Sequence, residues 1–479
     1  MVINEELKPA IVWFRQDLRL EDNEALNVAS KEGRAIIPLY IIQDHLKLGT
    51  SSRWWIYHSI CELNEELKKS GLSLIIRIGN PLDVLKEIIK ETLAGSLFWN
   101  RCYEPENLKL DADIRKLSHF QDINIQSFNA NLIVEPWEIL NKQQKPFKVF
   151  TPFWKTWEKF DVKKPESLTK SFKFKSYFKN IHSESLMSLK LILKTEDASQ
   201  LKNYWKPGAS EAKQMLNRFL EEPILHYDQA RDIPDLFGTS RLSPYLHFGE
   251  ISPRMIWHTI MTKYRNSNAS VECYLRQLAW REFAHHLLYH FPETVNVPLR
   301  KEFLDFPWKN DKVQLKAWQD GMTGYPLVDA GMRELKATGW MHNRVRMLVG
   351  SFLVKDLLIA WQYGADFFFD KLVDADLANN TLGWQWVSGC GADAAPYFRI
   401  FNPTTQAEKF DPDGNYIKKW VPELAKLPAK WIYEPFSAPE MILKIADLEL
   451  GLDYPKPIVD HAKARLLALD ALKQTKGYD

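Results

Sequence analysis

Apolar and polar positions alternate in one characteristic way over the first 135 residues. Short apolar runs, rich in β-branched and aromatic residues, are separated by amphipathic stretches with helical spacing. The apolar runs are 10–14, 35–42, 72–78, 96–100 and 123–128, and the helical patterns lie near 23–31, 53–69, 81–92 and 106–118. Strands that alternate with helices are typical of a parallel sheet with helices on both faces. We therefore predict a doubly wound α/β domain over residues 1–135.

The remainder of the chain follows a different pattern. Residues 136–205 are weakly periodic and rich in Lys, Ser and aromatic residues, which predicts an ordered connecting segment with a short helix within 148–160. Helical patterns dominate residues 206–479 and strand patterns almost vanish, so we predict an all-α C-terminal domain there. The clearest of these patterns are at 211–224 and 274–292, and residues 338–361 are predicted to form one helix.

Polar side chains interrupt the apolar pattern between residues 338 and 403. Trp340, Asn343 and Met347 fall at i, i+3 and i+7 of the predicted helix and would share one face. Asp376 and Asn380 are four residues apart, as are Asn380 and Trp384, so all three would point one way in a helix. Such groups can be satisfied locally within a packed core or can line a polar site. The spacing alone leaves both interpretations open.

The length, net charge and composition of the chain limit the kinds of protein that it can be. The chain has 479 residues, too many for one ordinary core, and a net charge of only +2, so any nucleic-acid site has to be a local basic patch. The 18 tryptophans fit core filling, and they also fit ring stacking or electron relay. The four cysteines are far apart and form no CxxC, so we predict neither a metal site nor disulfides.

Absent motifs exclude several further classes. No GxGxxG follows the first strand and no GxxxxGK[ST] occurs, which argues against a nicotinamide-coupled redox enzyme or a P-loop protein. No stretch reaches about 18 uninterrupted apolar residues, and the N-terminus lacks a signal-peptide pattern. We expect a soluble, cytoplasmic monomer with no membrane partner.

Five ordered motifs together resemble one known family. They are WFRQDLRLEDNEAL (13–26), WMHNRVRM (340–347), the pair Asp374 and Asp376, LGWQW (382–386) and DAAPYFRIFNP (393–403). This set is similar to the photolyase/cryptochrome family, and most similar to microbial class I and class III photolyases that repair cyclobutane pyrimidine dimers. The resemblance implies a deoxyribodipyrimidine photo-lyase, a carbon–carbon lyase. Its reaction would be light-driven repair of UV-damaged DNA by electron transfer from photoexcited reduced FAD to the flipped-out dimer.

The segment GTSRLS (238–243) offers hydroxyls and one guanidinium. Such a loop can bind a phosphate, although Ser and Thr clusters are also ordinary N-caps. The resemblance implies the former, and it places Asn380 beside flavin N5 and Arg346 in an ion pair with Asp374 or Asp376. The implied FAD-binding residues are Tyr227, Thr239, Ser240, Arg241, Leu242, Ser243, Trp340, Asn343, Arg346, Asp374, Asp376 and Asn380.

The resemblance also implies a lesion site. Its DNA- or lesion-binding residues would be Arg231, Gln277, Trp280, Asn343, Arg344, Met347 and Trp386. The Trp280–Arg281 cluster could stack on an unstacked base or simply pack two helices. Gln277 departs from the glutamate common in dimer photolyases, and glutamine is typical of (6-4) photolyases. Those enzymes carry histidines at the places of Asn343 and Met347, neither of which can act as a general acid at neutral pH.

Three tryptophans match the family's electron relay, in the order Trp384, Trp361 and Trp308 from the flavin outward. With Asn380 and Gln277 they form the predicted catalytic set. The WNRCYEPEN segment (99–107) resembles the antenna pocket but departs from the YExNE pattern of folate binders. A second chromophore is expected, either methenyltetrahydrofolate or 8-hydroxy-5-deazaflavin. The alternatives are a cryptochrome-type blue-light photoreceptor without repair activity and a (6-4) photolyase; the lack of a low-complexity tail favours repair.

Overall fold

The structure is a computed structural model of the chain. It describes residues 7–43, 48–119, 123–166, 174–177, 180–186, 200–264, 268–393 and 398–476. Residues 394–397 of the DAAPYFRIFNP motif lie outside the described residues. No helix in the described ranges is long and apolar enough to cross a membrane.

A parallel sheet forms the first part of the chain. Its strands are β1 (Ala10–Phe14), β2 (Ile36–Ile42), β3 (Ile75–Ile78), β4 (Ser96–Asn100) and β5 (Asn124–Phe128). They are arranged in the order β3-β2-β1-β4-β5, and every neighbouring pair is parallel. The four connecting helices are α1 (Glu24–Lys31), α2 (Thr50–Lys69), α3 (Pro81–Thr92) and α4 (Pro105–Arg115). The predicted doubly wound α/β fold is confirmed.

Both faces of the central strands β1, β2 and β4 are buried, which explains why these strands are almost continuously apolar, whereas the edge strands β3 and β5 are partly exposed. Along β1, Val12 and Phe14 pack into a core shared with α1 and α2. Ile11 and Trp13 point to the other face, into a core shared with α3 and α4. Since successive strand residues point to opposite faces, a strand covered on both sides has no polar positions to alternate.

Helices make up most of the rest of the described chain. They are α5 (Phe150–Trp157), α6 (Ala209–Glu221), α7 (Tyr227–Ala230), α8 (Ser243–His247), α9 (Pro253–Lys263), α10 (Ala269–His290), α11 (Lys312–Asp320), α12 (Pro326–Thr338), α13 (Asn343–Ser351), α14 (Trp361–Lys371), α15 (Leu377–Ser388), α16 (Pro403–Phe410), α17 (Asn415–Trp420), α18 (Ala429–Ile432), α19 (Glu440–Ile445) and α20 (His461–Lys476). Short 3-10 turns span Lys116–His119, Leu201–Asn203, Pro223–His226, Pro292–Val295, Lys301–Asp305, Pro422–Leu424 and Pro435–Ser437. The predicted all-α C-terminal part is confirmed.

Trp55 joins the sheet to the helical part. Its indole is fully buried and contacts the rings of Trp205, Tyr245 and Phe248 at centroid distances of 5.5, 5.1 and 6.0 Å. The indole N–H donates to the carboxylate of Glu250 at 3.1 Å. This junction belongs to a core that takes residues from both parts of the chain, so the sheet and the helices are packed together through apolar contacts.

The prediction of one helix over 338–361 is wrong. Helix α12 ends at Thr338, where Gly339 adopts a left-handed conformation with φ +66°, and α13 begins only at Asn343. Residues Phe352–Asp356 then widen into a π turn before α14 starts at Trp361. The apolar period continues across these breaks because each piece buries one side in the same core. As a result, Trp340 precedes α13 and does not share a helical face with Asn343 and Met347.

Candidate functional site

The charged loop after β1 is a buried structural junction. Arg15 forms an ion pair with Asp111 at 2.9 Å, and Asp17 accepts hydrogen bonds from the Arg15 and Asn100 N–H groups. Arg19 donates to the carbonyl of Gly249 at 2.7 Å and so ties the sheet to the helical part. These contacts give the loop a structural role.

Arg241 is a partly buried cation in the loop that leads into α8. Its backbone is left-handed with φ +51°, and its guanidinium lies 4.8 Å from the centroid of the Trp340 ring. Within the described residues, no carboxylate lies within 4.0 Å of it. Burial lowers the pKa of Arg241, which Glu334 offsets only in part. A buried guanidinium without a close carboxylate is suited to bind an anion such as a phosphate.

Ser240, in the same loop, contacts Tyr274, which packs against Tyr227 in a buried aromatic cluster. The Tyr274 hydroxyl donates to the Ser240 hydroxyl at 3.1 Å, and the rings of Tyr227 and Tyr274 are 5.2 Å apart. Leu242 is buried next to them, and Ser243 is the first residue of α8. The loop is therefore anchored by Ser240 and Leu242 while Arg241 points toward Trp340.

Arg346 is a second arginine near Trp340. Its Nη2 lies 2.9 Å from Asp374 Oδ2, its Nε donates to the carbonyl of Met341 at 2.7 Å, and its guanidinium lies 5.9 Å from the Trp340 ring. Of the two carboxylates that the sequence offers as partners, the structure selects Asp374. Two arginines thus flank one indole, and only Arg346 has a carboxylate within ion-pair distance in the described part.

Asp376 stands at the start of helix α15. It is the N-cap of α15, and its Oδ1 accepts from the Asn379 N–H at 2.7 Å. Its Oδ2 faces His247 Nδ1 at 3.6 Å and His285 Nε2 at 3.5 Å. Burial alone would raise the pKa of Asp376, but the two histidines outweigh it and hold the pKa below its usual range. Asp376 therefore caps α15 with one carboxylate oxygen and turns the other toward the histidines of α8 and α10.

Asn380 is oriented by the backbone of a neighbouring helix. Its Nδ2 donates to the carbonyl of Ala365 at 3.0 Å. The amide orientation is thereby fixed, because an oxygen in the place of Nδ2 would face another oxygen. This leaves Oδ1 as an uncharged acceptor beside a half-buried helix face.

Trp384 lies flat against helix α14. A Cβ built on Gly364 would come within 2.1 Å of its ring, and in the described part the rings in contact with Trp384 are those of Trp318 and Phe368. Trp361, the first residue of α14, is buried, whereas Trp308 is partly exposed beside Phe306. The relay order Trp384, Trp361, Trp308 stays a prediction.

The predicted DNA-contacting arginines come together at one acid. Arg344 Nη2 forms an ion pair with Asp232 Oδ1 at 2.8 Å, and Arg231 Nε lies 3.9 Å from the same oxygen. Arg231 also contacts Gln277, whose Oε1 is 3.5 Å from Nη2. The Gln277 Nε2 donates to the carbonyl of Cys273 at 2.9 Å, so its side chain is held against its own helix.

The remaining lesion-site residues lie on α10, α13 and α15. Asn343 and Met347 are one turn apart on α13, with Nδ2 and Sδ at 3.9 Å, and Trp386 is partly buried on α15. Trp280, on α10, stacks face to face on Phe150 with ring centroids 3.7 Å apart. Phe150, His247, His285 and Gly364 also contact the predicted site residues, and no motif in the sequence pointed to them. Only the helical pattern over 148–160 pointed toward Phe150.

Comparison with known proteins decides the family. Residues 10–170 match the family model described as DNA photolyase, and residues 274–474 match the FAD binding domain of DNA photolyase. The chain is 44% identical to a deoxyribodipyrimidine photo-lyase of Agrobacterium fabrum over 98% of both proteins. It belongs to the photolyase/cryptochrome family.

Both cryptochromes and photolyases are among the proteins to which the chain is similar. Cryptochrome-2 of Arabidopsis thaliana is 40% identical over 98% of this chain and 79% of its own length. The crystal structure of a bacterial class III photolyase from Agrobacterium tumefaciens superposes with a TM-score of 0.96 and 42% identity over 100% of both chains. The predicted family, fold and photo-lyase enzyme class are confirmed.

The residues present fit FAD, the cofactor that this family implies. Arg241 supplies a cation for a diphosphate, and the Oδ1 of Asn380 supplies a neutral acceptor for a ring N–H. The Arg346–Asp374 pair supplies a polar group with fixed geometry near Trp340. Within the described part of the chain, no group of three His, Cys, Asp or Glu side chains is placed to hold a metal ion.

Proposed function

We propose that this protein repairs cyclobutane pyrimidine dimers in UV-damaged DNA in a light-driven reaction. The observation that carries the choice of lesion is the pair Asn343 and Met347 on one turn of α13. An amide and a thioether cannot donate a proton as a general acid at neutral pH. Splitting a cyclobutane dimer needs no such acid, whereas repair of the (6-4) lesion does, and that chemistry would lack its apparatus here.

Five groups would hold the cofactor. Arg241 and the hydroxyls of the 239–243 loop would bind the diphosphate, with Tyr227 closing the aromatic side. The Arg346–Asp374 pair and Trp340 would border the ring system. When bound, reduced FAD supplies, on excitation by blue or near-ultraviolet light, the electron that opens the cyclobutane ring and is afterwards recovered.

Asn380 would stabilise the anionic reduced form of the cofactor. Its Oδ1 can accept a hydrogen bond from a ring N–H, and the amide adds no negative charge to the site. The hydrogen bond from Nδ2 to the Ala365 carbonyl keeps Oδ1 turned away from that carbonyl. Trp384, Trp361 and Trp308 would keep the cofactor reduced by passing electrons inward from the partly exposed Trp308.

The lesion would enter a pocket bordered by Trp280, Trp386, Asn343 and Met347. The two indoles offer apolar faces for the flipped bases, and a poorly stacked lesion costs less to extrude than a normal pair. Gln277 would donate to a pyrimidine carbonyl through its second N–H. Arg231 and Arg344 would contact backbone phosphates beside the lesion, since both guanidiniums lie within 4.0 Å of Asp232 and therefore close to each other.

We extend the proposal to the oligomeric state, the location and the antenna pigment of the protein. A monomeric protein acting on DNA in the cytoplasm, with a folate or deazaflavin antenna pigment in the N-terminal domain, fits the family. Near the predicted antenna segment, Glu104 accepts hydrogen bonds from Gln16 at 2.8 Å and Asn107 at 2.9 Å. These polar groups lie at the sheet edge where ligands bind in open α/β folds.

A light-sensing function of the cryptochrome type is the second candidate. The 40% identity with Cryptochrome-2 of Arabidopsis thaliana favours it, and Gln277 departs from the glutamate common in dimer photolyases. Asn380 argues against it, because plant cryptochromes tend to carry an acid at the matching place.

The choice among these functions can be tested with two substrates. Reduced protein is illuminated with an oligonucleotide carrying a cyclobutane thymine dimer, and separately with one carrying a (6-4) product. We expect restoration of the first only. Restoration of the (6-4) oligonucleotide would transfer the assignment to that lesion, and restoration of neither, with FAD bound and reducible by light, would support the light sensor.

A further inference from the structure

Trp280 and Phe150 form the most closely superimposed aromatic stack among the described residues. Their ring centroids are 3.7 Å apart and their planes differ by 8°. Aromatic pairs in proteins prefer offset or edge-to-face arrangements with centroids 4.5–7 Å apart. Close superposition means that the Phe150 ring covers one face of the indole. A base can therefore stack only on the opposite face of Trp280.

Phe150 is itself held firmly. It is 2% exposed and is the first residue of α5, and its N–H faces Asp393 Oδ1 at 3.4 Å. The Asp393 N–H in turn donates to the carbonyl of Lys148 at 3.1 Å. The start of α5 is thus tied to the loop that follows α15, the helix that carries Asn380 and Trp384.

Phe283 fixes the stack from its edge. This ring is T-shaped to both partners, with centroids 5.8 Å from Phe150 and 5.8 Å from Trp280. Phe283 is fully buried on α10, less than one turn after Trp280. With one face covered by Phe150 and a neighbouring edge against Phe283, the indole has little freedom to rotate about its side-chain bonds.

Arg276 strengthens the same contact between α5 and α10. Its guanidinium lies 5.8 Å from the ring centroids of both Phe150 and Trp154, which are one turn apart on α5. Arg276 is adjacent in sequence to Gln277. The connecting segment therefore contributes its predicted short helix, and this helix packs directly against the proposed lesion-binding residues.

We propose that Phe150 is a positioning residue for lesion recognition: it fixes the plane of the Trp280 indole and leaves one face for the flipped dimer. This inference rests on the proposed function. An indole that is already ordered loses less conformational freedom when a base stacks on it, so binding is tighter than to a mobile ring. The effect concerns the flipped lesion alone, because undamaged duplex DNA leaves its bases in the stack.

Binding in the dark tests this role. The dissociation constants of a duplex with one cyclobutane thymine dimer and of the same undamaged duplex are measured for the FAD-containing protein. Phe150→Leu removes the flat ring while keeping an apolar side chain, and we expect it to reduce the preference for the damaged duplex by about threefold to tenfold. Phe150→Tyr retains the ring and should retain the preference.

Phe153→Leu is the matched control. Phe153 is fully buried on the same helix and contacts Phe147, Phe283, His286 and, at 6.5 Å, the Phe150 ring itself, so this change also loosens α5. In the described part of the chain its ring contacts do not include Trp280, so the ring that covers the indole stays in place. We expect its lesion preference to stay at the level of the unsubstituted protein. An equal loss in Phe153→Leu and Phe150→Leu would show general loosening of the helix and would overturn the positioning role.

A double substitution separates positioning from other effects. In a Trp280→Ala background there is no indole left to orient, so adding Phe150→Leu should change the preference no further. A further loss in that background would contradict the inference, as would an unchanged preference in Phe150→Leu alone. If the unsubstituted protein shows no preference for the dimer, the proposed function fails, and this inference fails with it.

Discussion

Gly364 lies directly beneath the indole of Trp384, and a Cβ at that position would come within 2.1 Å of the ring. Atoms cannot approach so closely, so Gly364→Ala must displace the ring or push α14 away from α15. We expect the variant to lose about 1–3 kcal/mol of stability from overpacking. We also expect slower light-driven reduction of the oxidised flavin in the presence of an external reductant, measured by flavin absorbance.

Gly383→Ala is the matched control for this prediction. Gly383 precedes Trp384 on α15, and a Cβ there would meet nothing within 4 Å. The same chemical change should therefore leave the photoreduction rate as it is in the unsubstituted protein. Photoreduction at the unsubstituted rate in Gly364→Ala would contradict the place of Trp384 in the relay.

Arg241→Gln tests the proposed diphosphate site. The substitution removes a guanidinium that has no carboxylate within 4.0 Å in the described part of the chain, so no acid is left unpaired. Loss of one charged hydrogen-bonding partner should raise the dissociation constant for FAD about tenfold to a hundredfold, measured by the flavin fluorescence released on dilution. The exposed Arg218, paired with Glu211, gives the control Arg218→Gln, which should bind FAD normally. Equal FAD affinity in both variants would place the diphosphate elsewhere.

Asn380→Asp tests the neutral acceptor. The new carboxylate would face the carbonyl of Ala365, where Nδ2 now donates at 3.0 Å, and would bring negative charge next to the anionic reduced ring. We expect a more negative midpoint potential of the bound flavin and faster reoxidation in air. A potential equal to that of the unsubstituted protein would show that Asn380 does not face the ring.

The buried His342 should make the folded protein less stable as the pH falls. It is buried as the N-cap of α13, where its Nδ1 accepts from the Arg344 N–H at 3.2 Å. Burial lowers the pKa of His342 to about 4. Between pH 6.5 and 4 the unfolded chain binds a proton that the folded chain does not, so stability decreases as pH falls through this window, by up to about 1.4 kcal/mol per pH unit.

Thermal unfolding from pH 8 to 4 checks this assignment. His342→Asn keeps a cap acceptor and removes the titrating imidazole. We expect a smaller drop of Tm between pH 6.5 and 4 in the variant than in the unsubstituted protein, and similar profiles above pH 6.5. Identical drops in the two proteins would assign the acid sensitivity to other groups.

Sequence patterns predicted the strands of the sheet well, because the burial of a strand is visible in the apolar residues of that strand itself. The central strands β1, β2 and β4 are covered on both faces, and Ile11 and Val12 show how neighbouring residues then enter two different cores. The 3.6-residue period failed at 338–361, since it reports burial and does not detect backbone breaks. Gly339 was an available stop signal, whereas the left-handed Leu358, with φ +51°, had no signal in the sequence.

Sequence motifs predicted only some of the contacts in the candidate site. Family motifs named Arg346 and Asp374, and the structure pairs them. The capping role of Asp376 was not predicted, although an aspartate three residues before Asn379 has the spacing of an N-cap. The stack of Phe150 on Trp280 joins two distant segments, and neither periodicity nor a motif reveals such a contact.

The central claim is that light and this protein together split a cyclobutane dimer. The most direct measurement uses reduced protein and an oligonucleotide with one thymine dimer, and follows the thymine absorbance during blue illumination and in a dark control. We predict that absorbance recovers only in the light, with less than one equivalent of protein sufficient for complete recovery. No recovery in the light, with FAD bound and reduced, would contradict the account.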